Sequence, residues 1–316
     1  MFAGTPAFAL PALEKLSVAH DVVAVLTAPD RKKGRGKHAS PSAVAEKASD
    51  LGLTTIKPER LDAAARQRVA ECRPELLVVV AYGKIFGPKF VALFPEGGVN
   101  LHPSLLPEFR GPAPIPAAIL AGVEETGSTV QRIALNVDSG AILEQYRYRL
   151  DAADTAASVT ETLSRIGSDQ LIHTLERFES GSVDETPQDE SRATYCRLIN
   201  KADGVIDWGR PAAEIERMVR AFDPWPTAYS WWNGRLLSIL KASLSDATTP
   251  PLPRSGGSMA PGEVVGVDKS WGILIQTGTG TIAAEQLQLQ SKRRLHFTDF
   301  LNGAPQIVGS LLGRSV

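Results

Sequence analysis

Two runs of aliphatic residues constrain this chain more than any other feature. Val22 to Thr27 reads VVAVLT and Leu77 to Ala81 reads LVVVA, and each gives way to polar or turn-forming residues. Runs this short and this uniformly apolar predict strands buried on both faces, as in parallel sheets covered by helices. Helical stretches lie between them, at Ser42 to Gly52 and Ala63 to Cys72, and Gly97 to His102 predicts a further strand. Strands alternating with helices predict an α/β fold with a doubly wound, mostly parallel, Rossmann-like sheet. Ser128 to Leu135 and Ala141 to Leu150 alternate as a hairpin would about the turn Asn136 to Gly140, and Thr155 to Phe178 predicts a long helix.

The texture changes after Phe178. The stretch ESGSVDETPQDES, Glu179 to Ser191, is polar and acidic and predicts an exposed linker. Beyond it come a helix, Ala212 to Phe222, and a hairpin signal at Asn233-Gly234 between Tyr229 to Asn233 and Arg235 to Lys241. Gly262 to Val267, Gly272 to Thr277 and Thr281 to Leu289 add short strands. A helix followed by many strands predicts a small OB-like β-barrel. The length of 316 residues suits two domains. The expected division is 1–182 for an α/β catalytic domain, 183–205 for a linker and 206–316 for the barrel.

Composition narrows the function classes. The formal net charge of -1 gives no bulk attraction to nucleic acid, which leaves room only for a local basic patch. Cys72 and Cys196 are the only cysteines, so no disulfide framework is indicated and a cytoplasmic location is expected. No Cys, His and carboxylate cluster has metal-ligand spacing, and no apolar run reaches the ~18 residues of a membrane span. Neither a metal nor a membrane partner is expected. Ala3-Gly4-Thr5-Pro6 lacks the G-x-G-x-x-G of dinucleotide sites and predicts a strand-to-helix turn, with Thr5 as cap and Pro6 at the first helical position.

Three stretches carry chemistry. Arg31 to Lys37, RKKGRGK, directly follows a predicted strand, where the C-terminal ends of parallel strands carry ligand sites. A charge run is usually a solvated loop; here its glycines and its arginines also suit contact with a polyanion. Asn100 and His102 stand at i and i+2 of a strand, so they project to one side, and Pro103 ends the strand there. Asn offers an amide donor and His a donor or titratable base. Asp138-Ser139-Gly140 is either a plain turn or the source of a carboxylate that orients His102.

These residues together resemble the folate-dependent formyltransferases, and among them the methionyl-tRNA formyltransferases. The resemblance runs through nearly the whole chain. It is carried by Phe2 to Pro6, by Pro29-Asp30-Arg31 with Gly34 to Lys37, by Val80 to Gly83, by Asn100 to Pro107 with Arg110-Gly111, and by Asp138 to Gly140. Gln188-Asp189-Glu190, Ile206-Asp207-Trp208 and Pro224-Trp225-Pro226 extend it into the second half. The resemblance implies formyl transfer from 10-formyltetrahydrofolate to the amino group of methionyl initiator tRNA, without a metal, by a monomer. Another amine, on a ribonucleotide or an amino sugar, is the alternative acceptor. It implies Asn100, His102 and Asp138 as the catalytic set, and Ser104, Leu105, Leu106, Pro107, Tyr82 and Gly83 as the folate contacts. Arg31, Lys32, Lys33, Arg35 and Lys37 become the tRNA contacts, joined by the second domain.

The implied chemistry is addition of a neutral amine to the formyl carbon. Asn100 and a protonated His102 would donate to the formyl oxygen, with Asp138 holding the imidazole and favouring its charged form. The resemblance also puts Ala3 to Pro6 just after a central first strand, yet only Met1 and Phe2 precede that turn. A strand usually needs about five residues. The natural chain is therefore expected to begin several residues upstream, because a missing central strand would leave two neighbours unpaired.

Overall fold

The computed structural model describes residues 1–33, 38–244 and 259–313. The chain divides into two compact units. The first comprises Met1–Ile115, Val123–Asp151 and Ser158–Leu198; the second comprises Pro116–Gly122, Ala152–Ala157 and Ile199–Val316.

In chain order the elements up to residue 179 are β1 (Phe2–Gly4), α1 (Leu10–Ala19), β2 (Val25–Leu26), β3 (Arg31–Lys33), β4 (His38–Ser40), α2 (Ala43–Asp50), β5 (Thr55–Ile56) and α3 (Ala63–Glu71). They continue with β6 (Leu77–Val80), α4 (Pro88–Val91), β7 (Gly98–His102), α5 (Pro114–Ala121), β8 (Glu125–Arg132), β9 (Ile142–Arg149) and α6 (Ala156–Glu179). Seven strands form one sheet in the order β5-β2-β1-β6-β7-β8-β9. Pairing is parallel from β5 to β7 and antiparallel from β7 to β9. This is the doubly wound, mostly parallel sheet that the apolar runs predict.

The sheet is buried on both faces. Leu13 and Leu16 of α1 and Leu171 and Leu175 of α6 cover Val78, Val80, Val99 and Leu101 on one side. Val69, Phe90 and Phe94 cover Leu77 and Val79 on the other. Alternate residues of β6 and β7 therefore serve opposite layers, as a strand period of two requires.

Three expectations shift here. Of Val22 to Thr27, only Val25 and Leu26 are strand, because the partners β1 and β5 offer only two or three residues. Thr5 does not cap a helix; its hydroxyl donates to the Tyr82 carbonyl at 3.2 Å, and α1 begins later, after a short 3-10 turn at Ala7–Ala9. The expected gap at the first strand does not open. Phe2 to Gly4 form a central strand, with Phe2 opposite both Val25 and Val78 and Gly4 opposite Val80.

The second unit contains α7 (Ala212–Ala221), β10 (Ala228–Trp232), β11 (Arg235–Leu244), β12 (Val264–Asp268), β13 (Gly272–Gln276), β14 (Thr281–Leu289), β15 (Leu295–His296) and α8 (Phe297–Gly303). Asn233 and Gly234 join β10 to β11 with φ of 50° and 72°, the two left-handed residues that a tight hairpin turn needs. The strand order is β10-β11-β14-β13-β12, with β15 added to β14. Ile215 and Val219 of α7 and Phe297 and Phe300 of α8 share its core with Leu237, Ile239, Ile273 and Ile275. The sheet is barrel-like but unclosed: among the described residues β10 and β12 do not pair, and Leu311 and Gly313 bridge instead to Glu263 and Trp231.

Candidate active site

Asn100 and His102 leave β7 on the face opposite Val99 and Leu101, which are committed to the core. Register puts Asn100 beside Gln131 and His102 beside Thr129 on β8. Asp138 arrives from the β8–β9 turn with φ of 51°, a left-handed conformation that aspartate tolerates better than most residues. The glycine two places on is required by space. A Cβ at Gly140 would lie 1.8 Å from the Arg132 carbonyl oxygen, so Asp-Ser-Gly is the sequence of a turn pressed against its own strand.

The three side chains meet. Asp138 Oδ2 accepts from the Gly111 N–H at 2.8 Å and lies 3.6 Å from His102 Nδ1. Asp138 Oδ1 accepts from Gln131 Nε2 at 3.2 Å and from Asn100 Nδ2 at 3.5 Å. The carboxylate is thus surrounded by donors from Gly111, Gln131 and Asn100. His102 Nε2 lies 3.0 Å from the Phe109 carbonyl, an acceptor, so Nε2 carries a hydrogen in this arrangement. Both ring nitrogens face oxygen. The Asn100 contact is at the outer limit of a hydrogen bond and is easily redirected.

The Ser104 to Pro107 segment is folded in on itself. Ser104 Oγ donates to the Glu108 carbonyl at 2.7 Å. Thr129 Oγ1 donates to the Ser104 carbonyl at 2.7 Å and accepts from Leu106 N at 3.1 Å, while Gln145 Nε2 donates to the Leu106 carbonyl at 2.8 Å. Ser104, Leu106 and Pro107 are buried, and only Leu105 of the four is half-buried. Tyr82 and Gly83 follow β6, next to β7. The Tyr82 ring is buried and stacks on Phe86 at 5.3 Å, and its hydroxyl has no partner among the described residues. Burial pushes that phenol up to about 12, so it stays a neutral donor, which fits a polar acceptor on a bound ligand. Arg31, Lys32 and Lys33 form β3, which pairs with His38–Ser40. Arg35 and Lys37 lie outside the described residues.

Several residues that sequence reasoning missed complete the site. Gln131, Gln145 and Thr129 are placed by strand register, which no local pattern reveals. Arg110, 1% exposed, donates through two nitrogens to Glu190 at 2.9 and 2.7 Å, to Gln188 Oε1 at 3.0 and 2.7 Å, and to Tyr195 Oη at 3.1 Å. Glu190's hydrogen bonds push the guanidinium further up and, in return, Arg110 holds the Glu190 carboxyl below the ordinary range. The polar stretch that reads as a linker is therefore tied down. Thr186 exchanges backbone hydrogen bonds with Ile142, and Thr194 accepts from Phe109 N through its hydroxyl.

Comparison with known proteins gives this arrangement its family. A model described as formyl transferase matches residues 4–175, and one described as formyl transferase, C-terminal domain, matches residues 198–305. The chain belongs to the formyl transferase family. A relative from Treponema denticola named methionyl-tRNA formyltransferase is 42% identical over 98% of this chain and 97% of its own. One of the same name from Chloroflexus aurantiacus is 40% identical over 96% of each chain. Among solved structures, a sugar 3N-formyl transferase with dTDP and 5-N-formyl-THF aligns with a TM-score of 0.65 at 19% identity, covering 92% of this chain and 97% of that one. At that identity the likeness shows the formyltransferase fold.

Within this formyltransferase, among the described residues no group of three or more His, Cys, Asp and Glu is placed to hold a metal ion. Among the described residues no helix is long and apolar enough to cross a membrane. Cys196 sits close by, its sulfur 3.3 Å from the Ala113 N–H and 3.3 Å from the Arg110 carbonyl. Burial raises its thiol above the ordinary value, with Asp138 adding to the effect. Alkylation of Cys196 at pH 7.5 should run more slowly than that of a free thiol, read by peptide mass mapping. A rate equal to the free thiol's would contradict this environment.

Proposed function

We propose that the chain transfers the formyl group of 10-formyltetrahydrofolate to the free amino group of methionyl-tRNA, with the initiator tRNA as acceptor. The observation that carries the acceptor is the identity of about 40% with methionyl-tRNA formyltransferases across both domains, not the catalytic half alone. The chemistry rests on Asn100, His102 and Asp138. The folate supplies an activated formyl carbon and leaves as tetrahydrofolate, its nitrogen gaining the proton that the acceptor amine loses.

Each residue has a part. Asn100 Nδ2 and the hydrogen on His102 Nε2 turn from Asp138 and the Phe109 carbonyl to the formyl oxygen as it gains charge, and ligand-free donors of this kind commonly tighten only in the reacting complex. Asp138 keeps the imidazole oriented and receives the amine's proton, directly or through water. Tyr82 supplies a neutral hydroxyl to the folate, Gly83 lets it approach, and Ser104 to Pro107 form the wall that holds Leu105 against it. The reading gives 1–182 to catalysis, 183–205 to the linker and 206–316 to acceptor binding, in a cytoplasmic monomer.

The basic run Arg31, Lys32, Lys33, Arg35 and Lys37 grips acceptor phosphates. Arg35→Ala should raise KM for methionyl-tRNA and leave KM for the folate unchanged. One lost phosphate contact lowers the salt slope of binding by about 0.7–0.9. Unchanged tRNA kinetics across a salt series would return the run to a solvated loop. The reaction itself is tested by release of tetrahydrofolate from 10-formyltetrahydrofolate. Release should require methionyl-tRNA whose amino group is free and should stop when that group is acetylated beforehand. Release that ignores the acetylation would refute the proposed acceptor atom.

A further inference from the structure

We propose that Gln188 is a positioning residue for this reaction: its side-chain amide, locked by Arg110, holds the Asp138 turn so that the carboxylate faces His102 and Asn100. The inference rests on the formyl-transfer reading above and adds a residue from the stretch whose composition reads as a plain linker.

The contacts are specific. Gln188 Nε2 donates to the Asp138 carbonyl at 2.9 Å and to the Gly140 carbonyl at 2.7 Å, so two hydrogens hold both ends of the turn's last step. The same nitrogen lies 3.2 Å from Gln131 Oε1, and Gln131 Nε2 lies 3.2 Å from Asp138 Oδ1. One side chain thus fixes the backbone that carries Asp138 and orients a second amide that touches its carboxylate. Gln188 Oε1 accepts from Arg110 Nε and a terminal nitrogen of the same guanidinium at 3.0 and 2.7 Å. Turned over, the amide would set its N–H groups against the guanidinium and its oxygen against three oxygens, so only one orientation is satisfied.

Arg110 ties this amide to the rest of the site. Its chain neighbours are Phe109, whose carbonyl meets His102 Nε2, and Gly111, whose N–H meets Asp138 Oδ2. The guanidinium is itself fixed by Glu190 and Tyr195. The turn needs such a hold. Leu135 to Val137 are exposed and bring no packing, and Asp138 keeps a left-handed φ of 51°. A residue in that conformation persists where its surroundings over-determine it. Small errors in placement are expensive for the reaction, since about 1 Å can cost on the order of 10² in rate.

The test compares the wild-type protein with Gln188→Ala and Gln131→Leu in steady-state formyl transfer from 10-formyltetrahydrofolate to methionyl-tRNA. Each variant should lose kcat by about tenfold or more, with KM for donor and acceptor within about threefold, because the substrate-binding groups are untouched. Adding Gln188→Ala to Asp138→Asn should cost little beyond Asp138→Asn alone, since a residue acting through Asp138 has nothing further to lose. Folded variants that keep kcat within about twofold, or that change KM only, overturn the inference. If Gln188→Ala does not fold, Gln131→Leu decides, because it reaches the same carboxylate without touching Arg110. An active wild type with unaffected variants overturns this inference alone; a wild type inactive with every amine overturns the formyl-transfer reading with it.

Discussion

His102→Ala should lower kcat for formyl transfer by about 10²–10³ while the protein folds normally, and Asp138→Asn should fall in the same range. His102 lies at the end of β7, and its ring has the Phe109 carbonyl and Asp138 as polar partners. Asp138→Asn keeps the shape of the turn and removes the negative charge that faces the imidazole. Circular dichroism and thermal unfolding report whether each variant is folded, and single-turnover kinetics report the chemical step. A folded variant of either kind with near-wild-type turnover would falsify their assignment to the chemistry.

Arg110→Ala should be the most damaging substitution for the stability of the first unit, by about 2–4 kcal/mol. Arg110 is among the largest fully buried side chains in the protein. Its loss strips Gln188 Oε1 and Tyr195 Oη of their donor and leaves space where the side chain lay. Glu190 is largely exposed and is rehydrated, so no unpaired buried charge adds to the cost. The pair also has a pH signature. Arg110 holds the Glu190 carboxyl below its unfolded value, so its contribution is present above the ordinary glutamate range and is lost as pH falls through the depressed value. Urea unfolding should show the variant weaker at neutral pH, with the difference shrinking in acid. Equal midpoints at neutral pH would contradict the account of Arg110 as the anchor of the loop from Phe109 to Gly111.

Asn100 and His102 were legible because a strand period of two and a following proline fix where they point. Asp138 was legible only as one of two readings until its turn and its oxygen contacts were seen. Gln131 was not legible, since its place beside Asn100 depends on the pairing of β7 with β8. Gln188 and Glu190 carry the family resemblance, but their part in the site was hidden by their neighbours. Asp184, Glu185, Asp189 and Ser191 make the stretch look solvated, and much of it is exposed, yet Gln188 turns inward. Ser104 to Pro107 read as a ligand-facing signature, while the backbone and hydroxyl groups of Ser104 and Leu106 bond mainly within the loop and to β8 and β9. The central β1 shows how neighbours decide a strand: Phe2 and Ala3 pair with Val25 and Leu26 on one side, and Phe2 to Gly4 with Val78 to Val80 on the other.

The central claim is the acceptor. The most direct measurement is kcat/KM with 10-formyltetrahydrofolate as donor, for methionyl initiator tRNA, glycinamide ribonucleotide and a nucleotide-linked amino sugar in parallel, with the formylated product identified by mass. The account predicts N-formylmethionyl-tRNA as the product and a kcat/KM for the initiator tRNA at least about 10³ above either small amine. A higher kcat/KM for the ribonucleotide or the amino sugar would contradict it.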